Sequence, residues 1–169
     1  MKIPVNHRIA SLATGQKYWF SSTMSPNNLI SKTVSSSVEG VYCLWWKDMA
    51  TFPTTRVVEL PAGKRGVISV TLKPFQSELT EPIALYVGKG TVRARLSSHI
   101  KPARSTDSKQ ARNPYGWLSI VFPNTDIDNL IRNNLGFSFF QESNKLEQIY
   151  TENLAIGILR PWFNLRLTA

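Results

Sequence analysis

YVGKGTVRARLSSH, residues 86–99, carries the chain from a strand into a helix through a glycine-broken turn, and the fold is read outward from it. Just upstream, Ile83, Leu85 and Val87 alternate with Ala84 and Tyr86, the period of a half-buried strand. Gly88 and Gly90 interrupt that alternation. Beyond them Val92, Leu96 and Ile100 recur every four positions, which predicts a short helix whose neighbouring face holds Arg95 and His99 at the same spacing. Tyr86, Lys89, Arg95 and His99 thus gather beside one turn, a set suited to a polyanion and to phosphodiester chemistry.

The 169 residues fit a single domain, spanning 1–169, large enough to bury a core without metals or disulfides. Twenty Lys and Arg against eleven Asp and Glu give a net charge of +9 and a pI near 9.9, which favours an anionic partner. The charge is concentrated. From Lys89 to Arg112 seven basic residues (Lys89, Arg93, Arg95, Lys101, Arg104, Lys109 and Arg112) meet one acid, Asp107, so this window carries +6 of the total. The ordinary reading of such a run is a solvated face, and composition alone does not separate the two. A single cysteine, Cys43, excludes an internal disulfide, and its apolar neighbours predict a buried thiol and a cytoplasmic protein. No apolar run is long enough for a membrane span, and the start, Met1-Lys2-Ile3-Pro4, does not open a signal peptide. Two histidines and one cysteine exclude a structural zinc finger.

Residues 1–39 read as an N-terminal arm. Residues 40–46, GVYCLWW, read as a central strand with Tyr42, Leu44 and Trp46 on one face, and strand 83–87 is its expected partner. An insertion over 49–80 holds two further strands, 57–60 and 67–72, joined by a turn whose tip, Lys64 and Arg65, is either a groove reader or a solvated turn. A second insertion, 101–136, opens with a basic loop over 101–114. Within it residues 117–122 read as a strand. Residues 126–135 read as a helix capped by Thr125 or Asn124, with Ile127, Leu130 and Ile131 on one side and Gly136 ending it. A strand over 137–141 follows. The last helix opens at Asn144 with Glu147 at capping-box spacing and stops before Pro161. Trp45, Trp46, Trp117 and Trp162 read as core, since no cations interleave them as a stacking platform requires.

GVY at residues 40–42 and YVG at 86–88 resemble the two halves of the GIY-YIG nuclease signature. Lys89, Arg95, His99 four residues later, and ENLAIGILRPWFN at 152–164 follow in that family's order. The resemblance covers about residues 40–48, 82–100 and 137–164, and the long first insertion is most like that of the family's restriction endonucleases. It implies an α/β fold: a small, mostly antiparallel sheet flanked by helices, carrying an inserted hairpin and a basic loop. Taken singly, a strand tyrosine is ordinary core, a helix glutamate an ordinary solvated acid, and an asparagine after proline an ordinary turn former. Independent structural causes have no reason to reproduce the family's order.

Phosphodiester hydrolysis needs a positioned water, neutralisation of the pentacovalent transition state and relief of the leaving alkoxide. Glu152 is the expected metal ligand, and a lone carboxylate facing cations suits one Mg²⁺ or Mn²⁺ per site with several waters. Arg95, chosen over Arg93 because it lies one helical turn from His99, presents a planar fork to the non-bridging oxygens. Tyr42 and Tyr86 position or deprotonate the water, with Lys89, Arg95 and the metal expected to lower their pKa. His99 either accepts the proton or holds a tyrosine, and Asn164 is expected to fix the Glu152 helix. Lys64, Arg65, Arg93, Lys101, Arg104, Lys109 and Arg112 are the expected nucleic-acid contacts. The resemblance implies a metal-dependent endonuclease acting on double-stranded DNA, with a type II restriction endonuclease as first reading and a homodimer allowed. A less specific DNase (effector, repair or mobile-element nuclease) and a catalytically silent binding module are the alternatives.

Overall fold

The computed structural model describes residues 5–48, 51–52, 56–61, 67–72, 82–102 and 113–164. In chain order these form α1 (Val5–Thr14), β1 (Tyr18–Trp19), α2 (Pro26–Thr33), β2 (Glu39–Trp46), β3 (Arg56–Pro61), β4 (Val67–Leu72), β5 (Ile83–Thr91), α3 (Val92–His99), α4 (Pro114–Val121), α5 (Ile127–Asn134), β6 (Leu135–Gln141) and α6 (Lys145–Leu159). The fold is α/β. Four strands make one antiparallel sheet in the order β1-β6-β2-β5, and β3 pairs with β4 as the expected separate hairpin. The hairpin's tip, with Lys64 and Arg65, lies outside the described residues.

β2 is central and apolar on both faces because helices cover the sheet on both sides. Tyr42, Leu44 and Trp46 enter the larger core with Ile30 of α2 and its C-cap Val34, Leu96 of α3, Leu118 of α4 and Ile131 of α5. Val41, Cys43 and Trp45 point the other way, against Ile9 and Leu12 of α1 and Ala155 of α6. Trp117 and Trp162 are buried in the larger core, and the Cys43 thiol is buried too.

Strict alternation along β5 would put Tyr86 on the face opposite Leu85. The pairing corrects this: Leu44 lies opposite Tyr86 while Trp45 lies opposite Ala84, so Leu85 is the extra residue of a β-bulge. Residues directly opposite share a face. The bulge therefore brings Tyr86 to the side of Tyr42, with ring centroids 6.3 Å apart, and Val87 joins Ala84 on the other side.

From Val5 onward the first residues are not an arm. α1 covers one sheet face, β1 extends the sheet beside β6, and Ile30 and Val34 are buried. Residues 117–122, expected as a strand, instead form the last turns of α4 and its C-cap, Phe122. Asn113 caps that helix by accepting from Gly116 N at 2.7 Å, Pro114 opens it, and Trp117, Leu118 and Val121 share its buried side. α5 is capped by Asp126, which accepts from Asn129 N, and not by Thr125 or Asn124. Gly136 does not end that helix. Leu135 passes directly into β6, where Gly136 lies opposite Trp45 and Trp19.

Asn144 caps α6 by accepting from the amides of Leu146 and Glu147. The reciprocal half of a capping box is missing, since Asn144 N donates to Glu142 and the Glu147 carboxylate turns to Arg8 at 2.8 Å. Arg8 is a buried cation on α1, and Glu142 lies 3.4 Å from it. The first turn of α6 is given up to an ion pair that fastens the two helices on this face.

Arg160, left-handed at φ 46, and Pro161 end α6. The chain then runs along the open edge of β5: Trp162 N donates to Ala84 O and Phe163 N to Leu85 O. Asn164 completes the series with its side chain, accepting from Val87 N at 2.6 Å and donating to Val87 O at 2.7 Å. It fixes strand β5, and not the Glu152 helix as expected from the sequence. Without it both Val87 backbone groups lose a partner at a part-buried site. Asn164→Ala is expected to lower unfolding stability by about 2 kcal/mol, read from urea denaturation; an unchanged midpoint would show that solvent replaces the clamp at no cost.

Candidate active site

Tyr42 lies opposite Gly88 in the ladder, and Val41 opposite Lys89. A methyl group at Gly88 would sit 2.3 Å from the Tyr42 hydroxyl and 2.9 Å from the Tyr86 ring, so the glycine's missing side chain is the space in which the two phenols meet. Gly90 serves the backbone instead. Its φ of +116 lets the chain leave β5 and start α3 after a single residue, Thr91. Thr91 donates to Glu39 and Val92 N to Val38 O, which ties the helix start to the entry of β2.

Those constraints aim α3 at the tyrosines. Leu96 and Val92 are buried beneath it, and His99 in its last turn is buried with its Nε2 2.6 Å from the Tyr42 hydroxyl. The His99 and Tyr86 rings meet edge to face at 4.9 Å. Arg95, one turn earlier, is exposed, and its charge acts on Tyr42, Tyr86 and His99 alike. From the far side α6 contributes Glu152, half-buried, whose Oε2 accepts from Lys89 Nζ at 2.5 Å. Tyr42, Tyr86, Lys89, Arg95, His99 and Glu152 are thereby brought together from β2, β5, α3 and α6. Asn164 stands behind them on Val87.

Burial governs the protonation of the cluster. It pushes the Tyr42 phenol well above its ordinary value near 10, with Tyr86 adding to the rise; Arg95 opposes and Glu152 reinforces it. Tyr86 is raised by burial and then by Glu152, again against Arg95. The expectation that the protein's cations lower both phenols is corrected: desolvation outweighs Arg95, and Lys89 is already matched to Glu152. Burial and then Arg95 push His99 down from 6.5 to about 4, so it is neutral near pH 7.

His99 Nδ1 is buried and has no hydrogen-bond partner among the described residues. A buried N–H without an acceptor is costlier than a bare lone pair, which assigns the proton to Nε2 and makes His99 the donor to Tyr42. The Tyr42 oxygen is then an acceptor toward His99, and its own proton is free for another partner.

A Mg²⁺ or Mn²⁺ ion would find one protein ligand here. Among the described residues no three His, Cys, Asp or Glu side chains come together, and Glu152 is the carboxylate facing the cluster. That donor set fits a hard cation that keeps most of its waters. Of the expected nucleic-acid contacts, Arg93 is half-buried and Lys101 exposed just beyond α3. Arg104, Lys109 and Arg112, like Lys64 and Arg65, lie outside the described residues.

Two contributors escaped the sequence reading. Gly88 enters the sequence reading as a strand breaker and as the end of the YVG triplet, and not as the space opposite Tyr42 in which the two phenols meet. Asn113 caps α4 and also donates to Ser98 O and Lys101 O, holding the end of the His99 helix; the Asn-Pro pair at 113–114 marked it. Comparison with protein-family models, with curated proteins and with solved structures returns no match.

The depressed His99 pKa sets a stability window. Below about pH 6.5 the unfolded chain binds a proton that folded His99 refuses until about pH 4, so its contribution is present above 6.5 and is lost as pH falls through that range. Between about pH 7 and pH 4.5 the wild type should lose about 2 kcal/mol more unfolding stability than His99→Asn does. Parallel pH profiles of the two proteins would contradict a neutral, buried His99.

Proposed function

We propose that this protein is a metal-dependent endonuclease of the GIY-YIG type that hydrolyses double-stranded DNA. The observation that carries the reading is the meeting, around edge strand β5, of six side chains separated by up to 110 residues: Tyr42, Tyr86, Lys89, Arg95, His99 and Glu152. A merely structural tyrosine pair needs neither an exposed arginine nor an acid beside it. The net charge of +9, two-thirds of it in the window from Lys89 to Arg112, supplies the long-range attraction for a polyanion.

In this reading the two phenols, neutral near pH 7, hold the attacking water by hydrogen bonds. Tyr42 is oriented by the proton it receives from His99, and its own proton turns toward water or phosphate. Arg95 matches the charge growing on the non-bridging oxygens with its planar donors. A divalent cation, where bound, would be held by Glu152 and would supply Lewis-acid charge at the departing oxygen. Water forms the new P–O bond as the bond to the leaving alkoxide breaks. One of its protons finally resides on that alkoxide, and the other is released on ionisation of the new phosphate monoester. The inserted hairpin, whose tip contains Lys64 and Arg65, supports site-specific cutting of the restriction type, since a two-stranded ribbon can read the major groove.

The test is incubation with plasmid DNA and Mg²⁺, with and without EDTA. Discrete fragments are expected; a smear would leave the nuclease reading and remove the site-specific one. Glu152→Gln keeps the side chain's size and removes its charge, so cleavage should fall by on the order of 10³-fold or more while DNA binding persists. A Glu152→Gln protein that cuts nearly as well as wild type would overturn the assignment of the site.

A further inference from the structure

The acid of the cluster is matched to one of its two cations and not to the other. Lys89 stands opposite Val41 in the ladder, on the side of the sheet that α1 and α6 cover, and its Nζ lies 2.5 Å from Glu152 Oε2. Arg95 has no acid partner among the described residues. The lysine side chain is 36% exposed and the glutamate 15%, so the pair is open to dissolved ions on the lysine's side while the carboxylate is largely dry.

A structural salt bridge is a weak account of this contact. Pairs with a solvent-exposed lysine add little to stability, and α6 is already fastened on the same side of the sheet by Arg8, which meets Glu142 and Glu147. What the pair does set is the charge that Glu152 offers to anything else. A carboxylate withdrawn from water needs a cation beside it. Here that cation is an ammonium tethered to β5, and so always at hand.

We infer that Lys89 is the resident counter-cation of the metal site: Glu152 takes up a divalent ion only as the Lys89 ammonium leaves it, so the free protein holds such an ion weakly. The inference rests on the reading of Glu152 as the metal ligand. Mg²⁺ lies about 2.1 Å from a ligand oxygen. An ammonium 2.5 Å from that same oxygen would be pressed against the ion, and two cations in contact repel. One carboxylate is a modest ligand for a hard cation, and the tethered competitor weakens it further. A phosphodiester arriving beside Arg95 alters the balance by giving the displaced ammonium another anion, so substrate and metal favour each other's binding. Lys89 thereby ties the filling of the site to the arrival of the chain that is to be cut.

The test measures Mn²⁺ binding to the full chain without DNA, from the free-ion signal in electron paramagnetic resonance, and so does not depend on cleavage. Lys89→Met keeps much of the side chain's bulk and removes its charge, and should bind Mn²⁺ about fivefold more tightly than wild type, the strength of such a pair. Lys89→Gln is a second uncharged variant, so the comparison does not hang on one protein folding; circular dichroism and melting check both. Lys89→Arg keeps the cation and should bind as weakly as wild type. The gain should vanish in Lys89→Met/Glu152→Gln, because the carboxylate that the lysine had covered is gone. Equal affinities of wild type and the uncharged variants, equal failure to bind included, overturn the inference. A gain that persists without Glu152 overturns it too, since the ion would then sit elsewhere. Failure of the nuclease reading is seen separately, as plasmid left intact in Mg²⁺, and leaves the Mn²⁺ comparison to decide the role of Lys89.

Discussion

One unpaired residue in a strand ladder decides whether a site exists here at all. Leu85 has no opposite number in β2, and side chains beyond it exchange faces. Remove the bulge and Tyr86 would point toward α1 and α6, away from Tyr42, His99 and Arg95. The gap at Gly88 and the left-side turn at Gly90 act on the result of that shift: the first leaves room for two phenols, the second swings the arginine helix over them. Sheet geometry, then, and not loop placement, sets the distances in this cluster.

The same burial that holds the cluster rigid keeps it uncharged at its centre. Tyr42 and His99 form a neutral hydrogen-bonded pair packed against the Tyr86 ring, while the charges of Arg95, Lys89 and Glu152 stand at the margin. A phosphate drawn toward Arg95 would meet oriented donors, because Glu152, the acid facing the cluster among the described residues, is held by Lys89. Desolvation that makes the phenols weak acids also strengthens every hydrogen bond they form.

How much of this was legible follows the period of the side chains. The 40–46 strand, the helix after Gly90 and the last helix carry long, clear patterns, and each lies within a residue or two of its expected place. The run Trp117 to Phe122 is too short for period to separate strand from helix, and the capping by Asn113 decided it. The N-terminal residues carry a weak pattern because α1 buries only a narrow side, and besides Ile9 and Leu12 their attachment uses Arg8, which meets two acids more than 130 residues away. Asn164 was expected near Glu152 because the two share a stretch of sequence, yet the chain reverses at Arg160 and carries the amide to another strand. The bulge leaves no mark in the alternation of apolar residues, so the common face of the two tyrosines could be expected only from the resemblance.

The clamp on β5 bears on when the site comes into being during synthesis. Val87, between Tyr86 and Lys89, receives its edge partner from a residue 77 positions later, and Glu152 arrives only 12 positions before that partner. Chains grow from the N-terminus at roughly 5–20 residues per second, and early segments fold while later ones are still unmade. For most of that interval the strand bearing Tyr86 has an open edge and the cluster lacks its acid. A nascent or truncated chain therefore presents cations and phenols without the carboxylate, and the complete arrangement appears only once the last turn of the described chain has closed over the sheet.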